Sequence, residues 1–243
     1  MKLVCQRAPL MWPGRAAGKK LTGTGAGFAA GCVRTPRRTP APTSSQESPV
    51  NPALPAAPAP LRVCGIAGSL RAASYNRALL RAAQELAPAH WVWTVVDLAP
   101  LPLYDADVEA AGAPEPVAAL KQALRSADAL LIATPEYNCG VPGVLKNALD
   151  WASRPPRESA LIGKPAAMMG ATPGSWGTAR SQAMLRQVLA GTLTPALLAP
   201  EVYVARAGEK FDAAGRLTDE PTREHLRKFL PAFEAWVRGQ AKA

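Results

Sequence analysis

A chain of 243 residues and 25.5 kDa is long enough for one well-buried domain with a remainder. Its net charge of +10 sits mostly at the start: residues 1–60 hold 8 of the 28 basic residues and one of the 18 acids, which leaves 20 against 17 beyond, so the pI of about 9.8 does not signal a nucleic-acid-binding face on the folded part. No apolar run approaches the roughly 18 residues that span a bilayer, and four cysteines without C-x-x-C spacing and two histidines argue against a disulfide framework, a zinc site and histidine acid–base chemistry.

Residues 1–60 contain 10 of the 25 prolines, follow a period of neither 3.6 nor 2, and hold too few large apolar side chains to offset their ordering entropy; they are predicted to be a disordered, basic leader. The glycine-rich run at residues 23–31, GTGAGFAAG, follows no predicted strand and opens no helix, so it lacks the context of a nucleotide loop. The stretch FAAGC ending at Cys32 loosely resembles a lipoprotein cleavage site, but the run before it is weakly apolar. An export signal, a transit-like segment and a start without function all stay open.

From residue 61 the chain alternates. LRVCGIAGS (residues 61–69) reads as a buried strand, followed by a helix over 75–87 with Ser74 at its N-cap and Leu79, Ala83 and Leu86 on one face. WVWTVVDL (91–98) is the second strand, and residues 115–126 form the second helix with Val117, Leu120 and Leu124 inward. ALLIAT (129–134) is a short apolar strand bounded by Asp128 and Pro135, followed by a helix from about 142 to 153. A fourth strand over 164–172, a helix over about 178–190, a fifth strand over 200–206 and a last helix from near Thr218 complete the order, the last burying Leu226, Phe229, Leu230, Phe233 and Val237. Strands separated by helices, each step needing a right-handed crossover, predict an α/β fold: a five-stranded parallel sheet with helices on both faces, over a domain of residues 61–243.

Two strand ends carry special loops. GSLRAASYN (68–76) opens a helix and offers Ser69, Arg71, Ser74 and Asn76 around a helix N-terminus, which suits a terminal phosphate. It lacks the further glycines with which a dinucleotide loop approaches a pyrophosphate. Read alone, Ser74 is only a helix cap and Arg71 a solvated loop cation. TPEYNCGVPGVLKNALDWASRP (134–155) ends another strand: Pro135 fixes the chain, Glu136, Tyr137 and Asn138 present polar groups and a ring, and Gly140, Pro142 and Gly143 permit a tight entry into the next helix.

Through these two segments, together with PLYDADVE and GATPGSWGTARSQAMLRQVL, residues 61–243 resemble the NADPH-dependent FMN reductases of flavodoxin-like fold, a family that includes quinone, chromate and azo-dye reductases. The resemblance implies a flavodoxin-like three-layer sandwich with one FMN per chain and NADPH or NADH as co-substrate. It implies that Ser69, Arg71, Ser74 and Asn76 hold the FMN phosphate and that Leu70 and Tyr75 beside them also belong to the cofactor site. It also places Pro135, Glu136, Tyr137, Asn138 and Cys139 against the ribityl chain and isoalloxazine, and Thr172, Pro173 and Gly174 near the flavin. Cys139 stands where the family pattern often has Gly, Tyr or His. The flavin carries the electron chemistry, so no side chain need be a nucleophile. The acceptor is then a quinone or similar small molecule, in a cytoplasmic enzyme that uses neither a membrane nor a nucleic acid. The resemblance further implies a homodimer or homotetramer, with residues 145–155, including Trp151 and Arg154, as the expected contact; the alternative is that Leu145, Leu149 and Ala152 simply pack on the sheet. A rival reading of another class is a flavodoxin-type electron carrier that docks protein partners and does not oxidise nicotinamide.

Overall fold

The structure, a computed structural model, describes residues 58–240; residues 1–57 and 241–243 lie outside it, and with them the glycine-rich run 23–31 and Cys32. Short runs of branched and small apolar residues form β1 (Leu61–Ala67), β2 (Trp91–Val96), β3 (Ala129–Ala133), β4 (Ala166–Ala171) and β5 (Val202–Val204). All neighbouring pairs are parallel, in the order β2-β1-β3-β4-β5. The helices are α1 (Tyr75–Leu86), α2 (Ala106–Ala111), α3 (Glu115–Ser126), α4 (Gly143–Ala152), α5 (Ala179–Gly191) and α6 (Glu220–Gln240).

Side chains alternate across each strand, and the two faces of the sheet therefore build two cores. Leu61, Val63, Leu131, Ala133 and Met169 face α1 and α6, where Leu79, Phe229 and Phe233 are buried. Cys64, Ile66, Leu130, Ile132 and Met168 face α3, α4 and α5, against Leu120, Leu124, Leu145, Leu149 and Leu185. A fully buried phenylalanine cut to alanine costs about 3–5 kcal/mol, so the stacked pair Phe229 and Phe233, 6.2 Å apart, anchors α6 to the sheet.

Differences from the predicted elements fall where local signals were weak. β1 ends at Ala67 because Gly68 and Ser69 already belong to the turn, and β5 is only three residues long. α6 starts at Glu220, where Asp219 accepts from the backbone N–H of Thr222 at 3.0 Å, and it runs through Pro231. Helix α2 was not predicted: it buries no residue, so it has no apolar stripe, and its visible signal is the Asp105 carboxylate accepting from the Asp107 N–H at 2.8 Å.

Candidate functional site

At the carboxyl end of β1 the chain must turn sharply beside β3. The Gly68 N–H donates to the Ala133 carbonyl at 2.9 Å, and a Cβ at Gly68 would lie 3.1 Å from Leu145 and 3.2 Å from Pro135, so a side chain there would wedge the first and second loops apart. The Ser74 hydroxyl caps α1, accepting from the backbone N–H groups of Asn76 at 3.2 Å and Arg77 at 3.4 Å, and keeps its own proton to donate. The backbone N–H groups of Leu70, Ala72 and Ala73 have no partner among the described residues, and the Arg71 side chain is exposed and unbonded there. Free donors, a hydroxyl, a cation and the positive end of α1 together form a set that could hold a phosphate dianion.

Two members of the expected set do other work. Asn76 is buried, its Nδ2 donating to the Ala171 carbonyl and its Oδ1 accepting from the Ala171 N–H, both at 2.9 Å. Its side chain pins α1 to β4 and does not surround a phosphate, which corrects the expectation. The Tyr75 ring packs on Phe211, with centroids 5.5 Å apart, so its apolar body belongs to the core beside α1. A residue that sequence reasoning passed over, Arg77, holds the turn: its Nε donates to the Ser69 carbonyl at 3.1 Å and its Nη2 to Asp97 at 3.0 Å.

The second loop closes on the first. Ser69 is buried, and its hydroxyl oxygen lies 3.2 Å from the Tyr137 hydroxyl. Tyr137 and Gly140 exchange backbone hydrogen bonds of 3.2 and 3.0 Å around a two-residue turn in which Asn138 (φ 48°) and Cys139 (φ 65°) are both left-handed. Asparagine tolerates that region, whereas cysteine is strained in it. Pro135 is buried under this turn, while Asn138 and Cys139 are exposed. The Glu136 carboxylate turns away to α5, where it accepts from the backbone N–H groups of Arg180 and Ser181 at 3.0 and 3.2 Å and from the Arg180 guanidinium at 2.7 Å. Burial pushes this carboxyl up, but Arg180 and the helix N–H groups outweigh it and hold it below the usual glutamate range. Its carboxylate is thus a helix cap, which leaves only its backbone for a ligand.

The loop after β4 completes the rim. The Thr172 N–H donates to Val204 and the Ala207 N–H to Thr172, each at 3.0 Å, while Pro173 and Gly174 are exposed. Trp176, absent from the expected set, is 66% exposed with the Arg180 guanidinium 5.4 Å from its ring centre. An unburied tryptophan could not be told from a core one without tertiary structure. Cys64 is buried in β1 and its thiol is pushed up to about 12, so it has no thiolate to pair with Cys139. Trp151 is buried too, edge-on to Tyr104 at 5.0 Å and donating its Nε1–H to the Pro102 carbonyl at 2.9 Å. It therefore cannot be the surface contact expected of residues 145–155, in which Leu145, Leu149 and Ala152 also face the core.

Strand order 2-1-3-4-5 reverses direction between β1 and β3, and the phosphate socket and the tyrosine-bearing loop meet at that point, which defines a mononucleotide-binding protein of the flavodoxin-like class. Residues 61–209 match the sequence profile of the NADPH-dependent FMN reductases. The chain is 49% identical to an NAD(P)H-dependent FMN reductase of Pseudomonas aeruginosa over 178 residues, covering 73% of this chain and 96% of that one. It is 44% identical to a 2-hydroxy-1,4-benzoquinone reductase of a Burkholderia species, over 73% of this chain and 97% of that one. Among solved structures, the NAD(P)H:acceptor oxidoreductase FerB of Paracoccus denitrificans superposes with a TM-score of 0.69 at 39% identity, covering 74% of this chain and 98% of that one. The chain belongs to the NADPH-dependent FMN reductase family. It is accordingly an oxidoreductase with FMN as cofactor and NAD(P)H as co-substrate.

Proposed function

We propose that this enzyme passes reducing equivalents from NADPH or NADH to quinones or similar acceptors, chromate, azo compounds and free flavin among them, each substrate in turn at one exposed face of the flavin. The observation that carries the reading is the joining of the two loops by Ser69 and Tyr137 over the switch point, beside a donor set that fits a terminal phosphate. The quinone reductases among the relatives support the acceptor class.

When bound, FMN would supply the two-electron chemistry that links nicotinamide to the acceptor. The chain's own residues bind and orient. Arg71, Ser69, Ser74 and the free N–H groups of Leu70, Ala72 and Ala73 hold the phosphate. The backbone of residues 135–139 and the half-exposed Tyr137 ring bound the ring system, with Thr172, Pro173 and Gly174 on the far side. Hydride transfer to a quinone would leave a hydroquinone anion, which would take its proton from water, so no acid–base role falls to a side chain. Double-reciprocal plots of NADPH oxidation at several quinone concentrations are expected to be parallel. Intersecting lines would require a ternary complex and overturn the shared face.

We further propose a homo-oligomer in which Arg154 and the exposed Ile162 and Leu193, which edge one surface hollow, make the contact in place of Trp151. Light scattering on the purified chain tests this, a monomer at micromolar concentration being the contrary result. The proposed location is the cytoplasm, where NAD(P)H is supplied; among the described residues no helix is long and apolar enough to cross a membrane. Cell fractionation tests the location.

A further inference from the structure

At the end of the sheet opposite the flavin loops, where β1, β3 and β4 begin, a cavity of about 530 Å³ opens between the strand ends and the last turns of α3 and α6. That volume falls within the range of small-ligand sites, roughly 300–1,000 Å³. Four cations line it, Arg62, Arg125, Lys164 and Arg238, against the single carboxylate of Asp128. Arg62 is paired with Asp128 at 2.7 Å and Arg238 with Glu234 at 2.7 Å. Arg125 and Lys164 have no carboxylate within 4.0 Å among the described residues.

Asp128 acts on Lys164 only through space, beyond ion-pair distance, and both head groups are held in place by backbone. Arg125 Nη2 donates to the Glu158 carbonyl at 2.9 Å, and Lys164 Nζ donates to the Ala127 carbonyl, which follows the end of α3. The carbonyl at the end of α3 takes one bond from Lys164, and the Glu158 carbonyl one from Arg125. That leaves two donors on the ammonium and four on the guanidinium, fixed beside a concave surface that focuses their field. Lys164 is half-buried, and burial pushes its amine down, a penalty that a bound anion would relieve.

We propose that this cavity is a second anion site, separate from the flavin-phosphate socket, and that it takes a diphosphate, either inorganic or borne by a nucleotide. The diphosphate would bridge Arg125 and Lys164, with Arg238 at the rim. The test is titration calorimetry on the full chain loaded with FMN, at fixed ionic strength, with pyrophosphate in one arm and adenosine 5′-diphosphate in the other. One saturable site per chain is expected, weakened about tenfold by Arg125→Gln, the loss of one partly exposed charged hydrogen bond, with FMN content unchanged. Equal affinity in both arms identifies the diphosphate as the whole determinant; tighter binding of the nucleotide adds its nucleoside. Arg125 is exposed, so this variant keeps the fold, and Lys164→Gln is expected to weaken binding further. Absence of saturable binding, or binding indifferent to Arg125→Gln, overturns the proposal. So does binding that Arg71→Ala abolishes, because the anion would then sit in the flavin socket.

Discussion

Arg71 carries the one cation in the first loop whose side chain bonds to nothing else among the described residues, so its donors are available to a phosphate. Arg71→Ala is expected to weaken FMN binding about 10- to 150-fold, the worth of a hydrogen-bonded charge pair, in a flavin titration. Parent-like affinity would remove Arg71 from the site. Cys139 is the other residue with a decision attached. Its φ of 65° costs about 1–2 kcal/mol for a side chain bearing a Cβ, part of which glycine would return through its greater freedom when unfolded. Cys139→Gly is therefore expected to stabilise the chain by about 0.5–1 kcal/mol in a urea titration, and a loss of stability would mean that the thiol makes a contact worth more than the strain. Cys139→Ser should retain NADPH oxidation and shift acceptor preference only modestly, because Cys64, with its thiol pushed up to about 12, cannot serve as a resolving partner. Loss of nearly all turnover would reverse that view.

Between elements, the tightest joint is that of β4 with the start of α5. A Cβ on Gly170 would strike the Thr178 hydroxyl and lie 2.5 Å from the Thr134 carbonyl, and backbone cannot yield as a flexible side chain can. Thr134 also meets Ser181 at 3.1 Å, and Glu136 caps the same helix, so hydrogen bonds tie β3 and its loop to α5. Gly170→Ala is expected to cost about 1–3 kcal/mol or more and to lower the FMN content of the purified protein, read as melting temperature and flavin absorbance. An unchanged melting temperature would show that α5 shifts freely, and the second loop would then not be fixed by it.

At the scale of the whole molecule, charge pairing sets the response to acid. Hydrogen bonds from Arg62 to Asp128 and from Thr222 to Asp219 hold those carboxyls below the aspartate range. Burial pushes Glu234 up, but Trp91, His90 and Arg238 outweigh it and hold it low, and Glu136 behaves likewise. Folded values below unfolded ones mean that the unfolded chain binds more protons. The stability from these groups is thus fully present above their ordinary values of 3.8 and 4.5 and is lost as pH falls through the lowered ones. The melting temperature is expected to drop progressively on acidification below about pH 5, and a flat profile down to pH 3 would contradict the pairing. Removing residues 1–57 is expected to leave FMN content and quinone turnover nearly unchanged, since every proposed flavin contact lies at Ser69 or beyond. A fall of many degrees in melting temperature, or loss of flavin, would place part of the leader on the domain.

Periodicity and strand-end chemistry were enough to read the alternation of strands and helices, the faces of α1, α3 and α6, and the Ser74 cap of α1, because each depends on residues near in sequence. Helix α2 stayed hidden because it buries nothing and so leaves no period. The destinations of Asn76, Glu136 and Trp151 were equally illegible. An amide, a carboxylate and an indole at a loop or helix look alike whether they meet ligand, solvent or a distant strand. Only the tertiary structure brings Ala171 to Asn76, the start of α5 to Glu136 and the Pro102 carbonyl to Trp151. The sequence by itself determined most of the strands and helices and the residue types at the two strand-end turns; the packing of the sheet decided where the polar groups of Asn76, Glu136 and Trp151 are used, because only tertiary structure brings a distant strand, helix end or loop carbonyl to them.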